Sequence, residues 1–335
     1  MRYVITGGSG YIGSRLVDHL LRRDDTERIV LCDVRPPAAS DPKIEFERLD
    51  VRDADACRAV LERVRPDALV HLAFILNPSH DEHFMYDVDV NGTHNVLEAA
   101  AAAGTEHVLV TTSAVAYGAF PDNPVPITEE HPVRGVADFS YARDKTESDR
   151  LCQLWGLRHP ERTMTIVRPC IVFGPNVDNY LVRIWTKAPF QADVGQLGSK
   201  VQFVHEDDVV DGIIRLLEGR HAGAFNVAGD GEMTLRETTE AIGVPIRKMP
   251  MFAYRLLAKV LWALRVSEAP PGQIAFAVHP WIVSNEKLKR ETGWSPGYTT
   301  QEAFEVTMRA HGKLPEVDPA PVAEAELSSA LLPGR

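Results

Sequence analysis

The residues best suited to chemistry are Tyr141 and Lys145, in Tyr141-Ala142-Arg143-Asp144-Lys145. On a helix, positions i and i+4 share a face, so a phenol and an ammonium at this spacing converge. A tyrosine with an unperturbed pKa of about 10 is a poor base at neutral pH. A neighbouring ammonium favours the phenolate and makes proton exchange with an alcohol feasible. The spacing alone also fits an ordinary solvated surface pair. Position separates the two readings: the pair follows an apolar strand, His107 to Thr112, that runs into Ser113. Open α/β sheets bind ligands at the carboxyl ends of their strands, and a serine there can hold and polarise a substrate oxygen.

The elements that position these groups begin at the N-terminus. A short β-branched run ends in Thr6-Gly7-Gly8-Ser9-Gly10-Tyr11-Ile12-Gly13, and an amphipathic stretch to Arg23 follows. Strand, tight glycine turn and helix are what a dinucleotide pyrophosphate requires, with Gly7 for the turn, Gly10 for close approach and Gly13 for helix packing. Helix N–H groups at Tyr11 and Ile12 then face the anion. A glycine turn alone is weak evidence, but the second strand ends in Asp33, 20 positions after Gly13. A carboxylate there bonds the adenosine ribose and repels a 2′-phosphate, favouring NAD over NADP, although Arg35 softens the preference. With NAD as ligand, Lys145 also reaches the ribose hydroxyls.

Strands and helices alternate through residues 1–174, which predicts an α/β fold: a doubly wound parallel (Rossmann) sheet. Further strands are expected at Ile44–Leu49, Ala68–Ala73 and Thr163–Arg168, with helices from Asp53 to Val64, Glu82 to Ala103 and Ser140 to Leu157. Asp53 reads as an N-cap and Gly104 as a helix stop. Over 175–313 the pieces shorten, consistent with a smaller, discontinuous C-terminal substrate lobe. Residues 314–335, rich in Pro, Ala and Glu, read as a flexible tail.

The net charge of −11 argues against a nucleic-acid partner. Four scattered cysteines and twelve histidines show no disulfide or metal-ligand spacing, so reduced thiols and no metal are expected. The chain opens on its first strand, so a cytoplasmic location is expected. The most apolar stretch, Met251 to Val266, carries Arg255, Lys259 and Arg265 and is too short and too charged to span a bilayer, so it reads as a helix packed on the second lobe. A membrane-surface role is its minor alternative.

Together these marks resemble the extended short-chain dehydrogenases/reductases of the NAD-dependent epimerase/dehydratase family. The resemblance runs from Thr6 to about Pro296. It includes the glycine turn, Asp33, Asp50-Val51, His71-Leu72-Ala73, Asn91-Gly92-Thr93, Thr112-Ser113 before Tyr117-Gly118, Tyr141-x-x-x-Lys145, Arg168-Pro169 with Gly174-Pro175, Phe203 to Val209, Asn226-Val227-Ala228 and Gly293-Trp294. It implies that Asp50 and Val51 flank the adenine, Leu72, Ala73 and Asn91 line the cofactor, and Pro169 to Val172 lie by the nicotinamide. It also implies a Ser113, Tyr141, Lys145 catalytic triad, and a homodimer formed through the helices at 82–103 and 140–157.

Substrate-side residues must choose the reaction. Compared with the sugar-nucleotide enzymes, this chain has Ile171 in place of Asn, Val201 in place of Arg, and Pro270 near a second expected Arg. Arginine is the preferred clamp for a diphosphate, so its loss removes charge-assisted contacts, although Arg183, Lys187 or Lys200 could substitute. Ala114-Val115 replaces the acidic pair that dehydratases need. The candidate pocket, Phe74, Ile75, Leu76, Ile171, Asn179 and Val201 with Met251–Val266 closing over it, leans apolar. The expectation is reversible hydride transfer at a secondary alcohol or ketone of a small molecule less polar than a sugar nucleotide. Epimerase and dehydrogenase outcomes both stay open. The rivals are a nucleoside-diphosphate-sugar 4-epimerase and a non-catalytic NAD sensor.

Overall fold

The computed structural model describes residues 1–316, so most of the expected tail lies outside the described residues. The first half alternates as expected. β1 (Arg2–Thr6), α1 (Tyr11–Leu21), β2 (Arg28–Asp33), β3 (Ile44–Arg48), α2 (Ala54–Val64) and β4 (Ala68–His71) follow one another. Next come α3 (Glu82–Tyr86), α4 (Gly92–Ala103), β5 (His107–Thr111), α5 (Ser140–Arg158) and β6 (Thr163–Pro169). The second half holds β7 (Ile171–Phe173), α6 (Tyr180–Lys187), β8 (Gln191–Asp193), β9 (Lys200–Val201), β10 (Phe203–His205), α7 (Glu206–Gly219) and β11 (Gly223–Val227). It ends with β12 (Met233–Thr234), α8 (Leu235–Ala241), β13 (Ile246–Lys248), α9 (Met251–Ala263), α10 (Ile274–Val278), α11 (Glu286–Thr292) and α12 (Thr300–Ala310).

One seven-stranded sheet runs β11-β6-β5-β4-β1-β2-β3, with every pairing parallel. Its strands read as unbroken apolar runs because both faces are covered. Tyr3 and Ile5 pack into the core on one face, while Val4 packs into the core on the other. Strand order reverses between β1 and β4, which opens a crevice at their carboxyl ends.

Asp53 caps α2 by accepting from the Ala56 N–H at 2.9 Å, and Gly104 ends α4 with φ +75°. The expected helix over 82–103 is one continuous helical run, with a π-helical turn, Asp87–Asn91, set between α3 and α4. Such turns insert an extra residue and concentrate at functional sites.

The second half forms two-stranded pairs, β10 with β7, β12 with β9 and β13 with β8. Its core is aromatic: Phe173 stacks on Phe203 at 4.6 Å, and Phe304 and Trp185 close around them. α9 forms over the second lobe as expected, but none of its residues is fully buried, so it lies on the surface of the lobe.

Candidate active site

A cavity of about 760 Å³ opens at the sheet's switch point. Its floor is the glycine turn between β1 and α1. Gly7 sits at φ +70°, and a Cβ there would come within 2.6 Å of the Ala73 backbone nitrogen, just past β4. A Cβ on Gly13 would stand 2.4 Å from the Gly7 carbonyl oxygen. Turn, helix and neighbouring chain therefore touch backbone to backbone, and only glycine fits. The first N–H groups of α1 have no intrahelical acceptors and can receive an anion. Gly7, Gly10, Tyr11, Ile12 and Gly13 line the cavity, so the turn fits a dinucleotide pyrophosphate.

At the end of β2, Asp33 accepts from the backbone N–H of Ser9 and of Arg35, both at 3.1 Å, holding the carboxylate beside the turn. Asp50 is paired with Arg52, and Val51 is buried 2.5 Å from where a Gly92 Cβ would stand. Leu72, Pro169 and Val172 line the cavity. Asn91 does not: its side chain is exposed and donates to Asp87 at 2.9 Å, because the π turn directs it outward.

Ser113, just past β5, caps a short 3₁₀ turn by accepting from the Val115 N–H at 3.2 Å, and its Oγ donates to the Pro169 carbonyl at 3.4 Å. Tyr141 lies in the first turn of α5, against Phe139, and Ser113 stands near enough to act on its phenol. Lys145 lies one turn on and donates to the Thr111 carbonyl at 3.0 Å. Ser113, Tyr141 and Lys145 all face the cavity.

Their electrostatics differ from the expectation. Burial pushes the Tyr141 phenol up, Asp89 adds to this, and the nearby Ser113 hydroxyl offsets only part of it. Lys145 does not supply the expected lowering. Its Nζ sits 3.1 Å from the centre of the Phe74 ring and 5.9 Å from that of Tyr141, and burial lowers its pKa to about 7. The phenol therefore holds its proton at neutral pH.

Asp89 was not singled out by sequence reasoning. The π turn carries it into the interior, where Oδ1 accepts from the Ile75 N–H at 2.8 Å and Oδ2 has no partner among the described residues. Burial pushes its carboxyl up to about 7. The sequence signal was faint: Asp89 stands between Val88 and Val90, but Asp87 lies only two positions before it. Also missed was the buried network behind Ser113. Arg168 donates twice to Asp149, at 2.8 and 2.7 Å, and once to the Tyr117 hydroxyl at 2.7 Å. Asp149 also accepts from Thr112 at 2.8 Å, so β5, β6 and α5 are tied together directly beneath the site.

Beyond Phe74, which lies against Lys145, the cavity lining is mostly apolar. Ile75, Leu76, Ile171, Asn179 and Val201 line it, as do Pro270, Trp185 and Trp281, with Asn77, Asp178, Gln191 and Gln273 among them. The Asn179 oxygen is engaged in capping α6 through the Val182 N–H at 3.1 Å. Tyr254, Leu257, Ala258 and Leu261 of α9 close this end. Of the three alternative cations, Arg183 pairs with Asp178 and Glu268, Lys200 pairs with Glu232, and Lys187 is exposed outside the lining.

Comparison with known proteins agrees with this architecture. UDP-glucuronic acid decarboxylase 1 of Arabidopsis thaliana is 30% identical over 263 residues, covering 72% of this chain and 58% of the relative. An uncharacterized protein of Mycobacterium tuberculosis is 24% identical over 324 residues, covering 94% of this chain and 85% of its own. Among solved structures, DesIV (dTDP-glucose 4,6-dehydratase) from Streptomyces venezuelae, with NAD and TYD bound, superposes with a TM-score of 0.72 at 24% identity, covering 93% of this chain and 97% of its own. UDP-glucose 4-epimerase from Thermus thermophilus, in complex with NAD, gives 0.71 at 22% identity, covering 93% and 99%. At these identities the structural likeness is one of fold. A sequence model of one family matches residues 3–228, two thirds of the chain: this protein belongs to the NAD dependent epimerase/dehydratase family.

Proposed function

We propose that the protein transfers hydride reversibly between NAD and a secondary alcohol or ketone of a substrate more apolar than a nucleotide sugar. The nicotinamide supplies or accepts the hydride; the chain's residues hold the substrate oxygen and move its proton. In the reductive direction Tyr141, protonated at neutral pH, gives its proton to the carbonyl oxygen as that oxygen gains charge. Ser113, positioned by the Val115 N–H, turns its one O–H from the Pro169 carbonyl to the same oxygen as a second hydrogen bond. Lys145, anchored on the Thr111 carbonyl, holds the ribose side of the cofactor. The Arg168–Asp149 pair ties β6 to α5, and the Thr112–Asp149 bond ties the end of β5 to the same helix, so that serine and tyrosine meet.

The observation that carries the substrate reading is the lack of a free cation at the apolar end of the cavity, among the described residues. A diphosphate left there without charge-assisted partners would be desolvated at high cost. A panel test decides it: secondary alcohols of graded polarity are offered with NAD and NADH formation is followed, alongside thermal shifts with UDP- and dTDP-sugars. Turnover that rises with substrate apolarity, with no shift from nucleotide sugars, is expected. The second reading, a sugar-nucleotide 4-epimerase, is favoured by relatives named for UDP- and dTDP-sugar chemistry. Tight, saturable stabilisation by a UDP-sugar would select it.

A further inference from the structure

Among the described residues α9 is the one long helix with no buried residue. Tyr254, Leu257, Ala258 and Leu261, spaced i, i+3, i+4 and i+7, face the cavity. The opposite side carries Phe252 and Leu256, and the stripe winds on through Val260 to Leu264 at the C-cap, one every four residues, at 75%, 62%, 45% and 68% exposure. A helix apolar on both sides is an interior helix, yet none of this one is buried.

Its charge is as unusual as its polarity. Residues 244–267 contain five cations (Arg247, Lys248, Arg255, Lys259 and Arg265) and no Asp or Glu, in a chain whose net charge is −11. All five are exposed, and among the described residues none makes an ion pair, whereas most other arginines do. On a helical wheel, Arg255 and Lys259 flank the Phe252–Leu256 stripe on one side. Trp262, stacked on His80 at 4.0 Å, stands beside them.

We propose that α9 is an interfacial anchor that seats the protein on an anionic lipid surface. An apolar stripe bordered by cations buries its hydrophobic side at the headgroup boundary while its charges meet acidic lipids. No helix among the described residues is long and apolar enough to cross a membrane, so the contact lies in the plane of the surface. A second copy of this chain is a poorer occupant. A twofold interface places the same patch on both sides and would bring the cation cluster against itself. The seated helix would also be the wall of the cavity, so its apolar end would open next to the lipid.

Co-sedimentation with vesicles tests this. Binding to vesicles of equimolar phosphatidylglycerol and phosphatidylcholine, with none to phosphatidylcholine alone, is expected. Each cation near the surface contributes roughly fivefold to partitioning, so the Arg255→Gln, Lys259→Gln double variant should bind about 25-fold more weakly. Phe252→Glu with Leu256→Glu should abolish binding. An unchanged thermal shift with NAD shows that each variant is folded, since none of the four residues touches the cavity. Equal sedimentation with and without vesicles overturns the proposal, as does equal binding to both vesicle types. So does a wild-type dimer that the Phe252→Glu, Leu256→Glu variant splits while vesicles capture neither form, since a second copy would then cover the stripe.

Discussion

Replacing Gly13 with alanine perturbs the turn at its tightest point. The added Cβ would lie 2.4 Å from the Gly7 carbonyl oxygen, 2.7 Å from the Gly8 Cα and 2.9 Å from the Gly8 carbonyl carbon. All three are backbone atoms, so no side chain can rotate away; either α1 moves out or the turn does. Overpacking of this kind costs about 1–3 kcal/mol. If the turn moves, an N–H that should meet a phosphate loses a charge-assisted bond worth about 1.5–3 kcal/mol. Gly13→Ala should therefore lose roughly one to two orders of magnitude in NAD affinity at about 1.4 kcal/mol per factor of ten, measured by titration calorimetry. Gly104→Ala is the control. Gly104 has φ +75° but no atom within 4 Å of its added Cβ, so alanine there costs stability through backbone strain alone and leaves NAD affinity unchanged. Gly13→Ala binding NAD within threefold of the parent would refute the turn as the pyrophosphate cradle.

Asp149→Ala strands the buried Arg168 guanidinium and should cost about 3–5 kcal/mol in urea unfolding, much of it recovered by also making Arg168→Met. Burial lowers the His107 pKa to about 4, below its unfolded value, so the unfolded chain binds more protons in between. Stability should fall as pH drops from about 6.5 to 4, by up to about 1.4 kcal/mol per pH unit from this residue, and His107→Gln should flatten the slope. Phe84 and Tyr86 on α3 and Leu154 and Leu157 on α5 are exposed apolar side chains. If these helices pair two copies, light scattering should return twice the 37.1 kDa chain mass, and Leu154→Glu with Leu157→Glu should halve it.

The sheet was legible because its evidence is local. Apolar runs, the Gly7–Gly13 turn, the Asp53 cap and the Gly104 stop each depend on near neighbours in the chain. Tyr141, Lys145 and Ser113 were legible for the same reason, since spacing and strand ends placed them. The electrostatics were not. Whether Lys145 lowers the Tyr141 pKa depends on Phe74 drawing its amine aside and on Asp89, and neither effect has a sequence period. The inward turn of Asp89 depends on one inserted residue, which a 3.6-residue pattern averages away. Arg168 read only as part of a motif, because its partner Asp149 lies on another element. For α9 the composition was clear but the burial was not: both faces are apolar, and only the fold shows which one is covered. Net charge likewise hid five cations clustered in an acidic chain.

The central claim is that Tyr141 moves the proton that accompanies hydride transfer to or from NAD. Tyr141→Phe removes one hydroxyl and leaves the ring packed against Phe139. With the best alcohol from the panel and saturating NAD, NADH formation by this variant should fall by about 10²–10⁴-fold, the usual contribution of a positioned acid–base group. The dissociation constant for NAD should stay within about threefold of the parent, a difference well below one tenfold step of 1.4 kcal/mol. Turnover within tenfold of the parent, with NAD still bound, would contradict the claim.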